Sequence, residues 1–259
     1  MFPTGWKEPL KSFIPMYNIF LSLNSSYVPY GKMFMKSLYD VVDMSRVDRV
    51  VIADTGLDLK DKQYFLASYD KVDILETNLV SSFDQGGTWG KGWQSVVTSK
   101  AKYLLEALKK YDTTTVMVDG DCIFLKDISE IISDDDIQLC FRGDEKPDNP
   151  YLGSYTVFKP TDKSFRFIER WINNIDSNNS EQAKESPMLA KTVKEFDNNV
   201  INIARASVSC YTIKEYNNNP DGTYIVHFKG GSLSSDIEAD IKKRIYGTHG
   251  FDKLVDKYL

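Results

Sequence analysis

The chain of 259 residues can bury a large core, and we read it as one domain rather than two small ones. Its formal net charge of -5 and pI near 5.2 exclude nucleic acid as the main partner, since phosphate backbones are held by dense Lys/Arg surfaces; an anionic ligand would need a metal to bridge it. Cys122, Cys140 and Cys210 lack metal-ligand spacing and point to a reducing compartment. The residues after Met1 show no signal-peptide pattern and no apolar run of about eighteen residues occurs, so a cytoplasmic chain without a membrane span is expected.

In chain order, Met16 to Leu23 reads as a strand, Asn24 to Pro29 as a loop, and Tyr30 to Val42 as a helix whose Phe34, Leu38 and Val41 share a face. A second strand, Arg49 to Ala53, ends at Asp54-Thr55-Gly56. A helix over about Leu59 to Tyr69 and a strand at Val72 to Leu75 follow, and this alternation predicts a parallel sheet. The Gly-rich stretch Ser81 to Gln94, with Trp89 and Trp93, reads as a long binding loop. Thr98-Ser99 caps a helix over Lys100 to Tyr111, with Tyr103, Leu104, Ala107 and Leu108 as its buried stripe. A strand ending at Val118 leads into Asp119-Gly120-Asp121, after which Ile123 to Leu125 is apolar and Ile128 to Ile132 a short helix.

The second half changes character. Strands are expected at Ile137 to Phe141 and Ser154 to Phe158, helices at about Asp162 to Ile175 and Met188 to Ala206 around a solvated linker, Ser177 to Ser186. Strands at Val208 to Ile213 and Tyr224 to Phe228 flank a turn at Asn217 to Gly222. The fold class is α/β, with a mixed, mostly parallel sheet flanked by helices.

Asp119 and Asp121 carry the chemistry. Residues two apart in a strand point the same way, and strand ends face the ligand crevice of an open α/β sheet, so both carboxylates can reach one divalent ion. Oxygen ligands suit Mn²⁺ or Mg²⁺, which keep positions open for a diphosphate. The bland alternative is a polar Asp-Gly turn after a buried strand. Lys100 and Lys102, in the first turns of the preceding helix, lie near the same crevice, where helix N–H groups favour anions. The first two strand ends offer Ser22, Asn24, Tyr27 and Asp54 to a nucleotide base and ribose, and Trp89 and Trp93 offer plates for a sugar face.

The order of motifs, βα units, a strand ending in Asp-x-Asp, and later His227-Phe228-Lys229-Gly230-Gly231, resembles that of metal-dependent glycosyltransferases of the GT-A fold. It is similar to the retaining family 8 enzymes, which include glycogenin and bacterial galactosyltransferases. The resemblance implies a single GT-A domain with a nucleotide-sugar half over about 17–125 and an acceptor half over about 126–259. It also implies a metal held by Asp119, Asp121 and His227, and phosphate contacts from Gly120, Lys229 and Gly230. Asp197-Asn198 resembles the family's Asp-Gln segment, with Asp197 facing the donor sugar or an acceptor hydroxyl and Asn198 on the acceptor side. Gly153 and Ser154 resemble its Asn-x-Gly segment near the acceptor, and Lys102 matches the family's helix cation by register. Leu233 stands where the family has a lysine. The Asn- and Lys-rich style also resembles glycosyltransferases of large algal DNA viruses. The implied partners are a nucleotide-sugar donor, such as UDP-glucose or UDP-galactose, and a glycan or glycoprotein acceptor. Two rivals stand: a haloacid-dehalogenase-type phosphatase, whose Asp-x-Asp usually opens the domain, and a non-enzymatic carbohydrate-binding module.

Overall fold

A computed structural model of the chain describes residues 16–79, 91–142, 150–178, 185–196, 200–205, 208–210, 213–228 and 251–259. The first strand, β1 (Tyr17–Leu23), shows how the chain is layered. Its Ile19, Leu21 and Leu23 bury into one apolar cluster with Phe34, Met35 and Leu38 of α1 (Val28–Val41). Phe20, on the opposite face, joins Ala101, Leu104 and Leu108 of a later helix. The same division recurs in β2 (Val47–Asp54), where Val50 and Ile52 face one cluster and Val51 and Ala53 the other. A sheet covered by helices on both faces has near-continuous apolar strands, as these are.

From β2 the chain passes through α2 (Leu59–Ser68), whose Phe65 packs on the α1 side, to β3 (Val72–Glu76). Next, α3 (Lys91–Tyr111) covers the other face and returns the chain to β4 (Thr115–Val118), which pairs in parallel with β1. A short strand, β5 (Cys122–Phe124), leaves the main sheet, which β6 (Ile137–Phe141) and β7 (Tyr151–Phe158) then extend. The helices α4 (Asp162–Asp176) and α5 (Glu185–Glu195) pack beside α3, and β8 (Ile201–Arg205) closes the sheet in the order β3-β2-β1-β4-β7-β6-β8. Only β7 runs against its neighbours, so the expected α/β class with a mostly parallel sheet is what the chain adopts. The strand order reverses between β1 and β4, and the carboxyl ends of the strands at such a reversal are where open α/β sheets bind their ligands.

Beyond β9 (Ser209–Cys210) and α6 (Ile213–Asn218), the strand β10 (Ile225–His227) pairs antiparallel with β5 and parallel with β9. This small sheet lies on the α1 side and is covered by α7 (Asp252–Tyr258): Phe251, Val255 and Tyr258 pack with Ile123, Val226, Phe228 and with Tyr30 and Met33 of α1. Among the described residues no helix is long and apolar enough to cross a membrane.

Several elements depart from the sequence reading. The helix α3 begins at Lys91, not Lys100, so Thr98 and Ser99 are interior positions rather than caps; their hydroxyls donate back to the carbonyls of Ser95 (3.4 Å) and Val96 (2.9 Å). The expected helix over 188–206 stops at Glu195, and Ile201–Arg205 instead pairs with β6, because the β-branched alternation Ile201-Asn202-Ile203 suits a strand edge. The strand expected over 208–213 is two residues long, and α6 takes the first part of the expected turn. The remainder keeps turn chemistry, with Gly222 N donating to Asn219 Oδ1 at 3.2 Å.

The contact between α1 and β5 ties the two sheets together. Phe34 is fully buried and meets Phe124 edge-to-face at 5.0 Å. Phe34→Ala is expected to cost about 3–5 kcal/mol in urea unfolding, from lost transfer energy and a cavity. A cost under about 1 kcal/mol would mean that this contact is not part of the core.

Candidate active site

The site is built on a turn. After β4, Asp119-Gly120-Asp121 turns the chain into β5 against the end of β1. A Cβ on Gly120 would lie 2.6 Å from Leu23 Cδ2, so any larger residue would have to displace the Leu23 side chain. Directly opposite Cys122 across the β5–β10 pair stands His227, and Phe228 N donates to the Asp121 carbonyl at 3.0 Å. His227 Nε2 thereby sits 3.4 Å from Asp119 Oδ2 and 3.2 Å from Asp121 Oδ1. The carboxylates converge because the turn folds them around the imidazole; strand alternation plays no part. Burial alone would raise the Asp121 pKa, but the charge and hydrogen bond of His227, its own backbone and Lys100 hold it below the ordinary carboxylate range.

On the other side, the Lys100 ammonium lies 2.6 Å from Asp119 Oδ1 and 2.8 Å from Glu185 Oε2. Burial opposes its charge, yet Asp119 and Glu185 outweigh burial and raise its pKa well above the ordinary lysine value. Glu185, the first residue of α5, is held at its carbonyl by Trp171 Nε1 (3.2 Å), and its carboxylate covers Gly153 of β7, where a Cβ would come within 2.6 Å of Oε1. Ser154, next along β7, accepts from Asp119 N through its carbonyl at 3.4 Å. Sequence reasoning missed Glu185, which sits in what read as a solvated linker. The available signal was Glu-Ser-Pro, an acidic helix start with proline in the first turn.

The remaining candidates divide. Lys102, two positions from Lys100 and so on another side of α3, pairs with Asp176 at 3.1 Å and is half exposed. Asn24 caps the 3-10 turn before α1, its side-chain oxygen accepting from Tyr27 N (3.1 Å) and Ser26 Oγ (2.8 Å). Tyr27 packs on Tyr30, ring centroids 5.5 Å apart; burial first, then Asp121, Tyr30 and Asp119, push its hydroxyl pKa up. Ser22, on the last turn of β1 before the crevice, has a buried hydroxyl with no partner among the described residues. Asp54 closes the turn after β2: Oδ1 accepts from Gly56 N (2.9 Å) and Leu57 N (2.6 Å), and Oδ2 pairs with Lys62 at 2.5 Å. Trp93 falls in the first turn of α3. Trp89, Asp197, Asn198, Lys229 and Gly230 lie outside the described residues.

The donor set of two carboxylates and one imidazole fits Mn²⁺ or Mg²⁺. Charge points the same way: among the described residues, Asp119, Asp121 and Glu185 set three carboxylates against the Lys100 ammonium and the His227 imidazole, an acidic set that a divalent cation would offset. Cys122 is a buried free thiol whose Sγ lies within 4.8 Å of the ligand atoms of Asp121 and His227.

No family model matches the chain, and no curated protein sequence matches it. Solved structures do. The apo structure of the bifunctional glycosyltransferase WbbM aligns with a TM-score of 0.62 at 9% identity over 97% of this chain and 53% of that one, so this chain spans about half of WbbM. The galactosyltransferase LgtC, in complex with donor and acceptor sugar analogues, gives 0.62 at 12% identity over 93% and 96%. An active-site mutant of LgtC gives 0.64 at 12% identity over 93% and 95%. The likeness is one of fold, and the chain has the GT-A-like fold of these proteins.

Two outcomes follow from the charges. Replacing Lys100 by Met leaves Asp119 and Glu185 buried without their cation, which is expected to cost roughly 3–5 kcal/mol in metal-free unfolding experiments. A neutral effect would show that Lys100 does not hold the cluster. For Asp54, burial raises the pKa but Lys62 and the Leu57 and Gly56 N–H groups outweigh it, so the folded value is lowered. Its stabilisation is therefore present above the unfolded pKa and lost as pH falls through the folded one. The cost of Asp54→Ala in unfolding measurements should be full at neutral pH and shrink below about pH 4; a pH-independent cost would contradict the charge account.

Proposed function

We propose that the chain is a single-domain, metal-dependent glycosyltransferase that moves a hexose from a nucleoside diphosphate sugar, most simply UDP-glucose or UDP-galactose, to a glycan or protein-linked sugar, with retention of configuration. One observation carries this reading: Asp119, Asp121 and His227 converge at the point where the strand order reverses, beside a buried lysine. The GT-A-like fold supports it, as does the name of LgtC, a galactosyltransferase studied with donor and acceptor sugar analogues. The buried free thiol of Cys122 accords with a reducing compartment.

In this reading Asp119, Asp121 and His227 hold Mn²⁺ or Mg²⁺, which when bound supplies Lewis-acid stabilisation of the leaving diphosphate. The chain's own residues do the rest. Lys100 keeps Asp119 turned so that Oδ2 faces His227, and it adds fixed positive charge on the diphosphate side. Tyr27 and the Ser22 hydroxyl line the nucleotide side of the crevice. Gly153 and Glu185, at the far side of Lys100, stand on the sugar side. No carboxylate is assigned as covalent nucleophile; the departing phosphate oxygen takes the acceptor proton.

The purified chain should release intact UDP from a UDP-hexose only with Mn²⁺ or Mg²⁺ present, and Asp119→Ala and Asp121→Ala should each lower turnover at least about 100-fold while circular dichroism stays unchanged. His227→Ala should weaken metal binding with a smaller loss. Phosphorus NMR decides between reaction classes, and proton NMR of the anomeric signal reads the configuration. Inorganic phosphate as first product would favour a phosphatase, equal rates with chelator would remove the metal, and a β-linked product would remove retention.

A further inference from the structure

Cys122 carries a buried thiol that the proposed reaction does not use. Cys122 follows Asp121 directly and stands opposite His227 in the antiparallel β5–β10 pair, where facing residues share one side with Cβ atoms about 4.5–5.5 Å apart. Its Sγ, an Asp121 oxygen and a His227 nitrogen all lie within 4.8 Å of one another. The Asp121–His227 edge of this triangle is 3.2 Å. Bonds of about 2.0–2.3 Å to a tetrahedral zinc place ligands roughly 3.5 Å apart, so the sulfur needs to approach by no more than about 1.3 Å.

We infer that Asp121, Cys122 and His227 form a second, thiophilic ligand set at the candidate metal site, selective for Zn²⁺ and Co²⁺, whereas Asp119, Asp121 and His227 take Mn²⁺ or Mg²⁺. The inference rests on the metal reading of the proposed function and adds a selectivity to it. Sulfur and imidazole donors favour zinc over manganese, and oxygen donors suit magnesium and manganese. The two sets share Asp121 and His227, so only one ion is held at a time. Asp119 decides between them. Its Oδ1 is already engaged by Lys100 at 2.6 Å, and it stays with Lys100 when the sulfur set is filled. As the metal–sulfur bond forms, the Cys122 proton leaves to solvent, with no change of oxidation state. Zinc held this way draws the ion toward the buried side of β5, where Cys122 is almost fully covered, and away from the crevice that Asp119 faces. Zn²⁺ should therefore compete with Mn²⁺ without replacing it in turnover.

The test is a Co²⁺ titration of the full metal-free chain, read by absorption. Wild type should develop sulfur-to-cobalt charge-transfer absorption in the near ultraviolet, displaced by equimolar Zn²⁺. Cys122→Ser and Cys122→Ala should lose that band and bind Zn²⁺ at least about tenfold more weakly, while Mn²⁺ binding, followed by electron paramagnetic resonance, changes less than about threefold. Cys140→Ser should keep the band. Two variants are used so that one that fails to fold, judged by circular dichroism, leaves the other to decide. Mn²⁺ binding with no thiolate band in wild type, or a band that survives both Cys122 variants, would overturn the inference and leave the proposed function standing. Absence of both Mn²⁺ and Co²⁺ binding would overturn the two together.

Discussion

The site depends on one buried ammonium. Lys100 of α3 touches both the Asp119 turn after β4 and Glu185 at the head of α5, and each contact restricts another part of the chain. Glu185 reaches it across Gly153, where any side chain would take the carboxylate's place, and Trp171 of α4 fixes the Glu185 backbone. A buried ion cluster adds little net stability, because desolvation cancels much of the attraction, but breaking it strands a charge. Its effect is therefore selective: it penalises packings in which α3, α5 and β7 do not meet at Asp119. A carboxylate held in this way is fixed in orientation before any ligand arrives.

What could be read from the sequence follows from which signals are local. Near-continuous apolar runs in β1, β2 and β4 specify strands covered on both faces, and the βα alternation predicts that the strands up to β4 run parallel. Asp119, Asp121 and His227, which the structure brings together, could be picked out because the Asp-x-Asp spacing and one of two histidines draw the eye to them. Lys100 was legible through the helix that precedes the aspartates, but its distinction from Lys102 was not: a rotation of about 200° for two helical residues puts one in the site and the other beside Asp176. Glu185 was invisible for a different reason. Gly153 and Lys100, which its carboxylate meets, lie 32 and 85 positions away, and nothing near it in the sequence marks a buried acid.

The misread elements share a cause. Residues 188–206 are apolar enough for one helix by composition, yet β6 leaves an open edge that Ile201–Arg205 can pair with, and tertiary pairing overrides a weak local preference. At α3 the opposite occurred: Gly- and Trp-rich sequence read as loop, while the helix extends back to Lys91 because its later turns are anchored by Ala101, Leu104 and Leu108.

The two halves of the cluster around Asp119 and Asp121 belong to different cores. Lys100 and Glu185 stand on helices packed against one face of the main sheet, and Asp119 is tied to them. His227 stands on the small sheet, whose Val226 and Phe228 are covered by α7 and α1, and Asp121 is tied to that sheet through the Phe228 N–H. The turn Asp119-Gly120-Asp121 bridges the two, with Gly120 pressed on Leu23 at the end of β1. Any shift of the small sheet against the main one must therefore separate Asp121 and His227 from Asp119 while the contacts of Lys100 persist. The separation of Asp119 Oδ2 from His227 Nε2, 3.4 Å here, measures how closely the two cores are docked, and a ligand that draws these atoms together stabilises that docking.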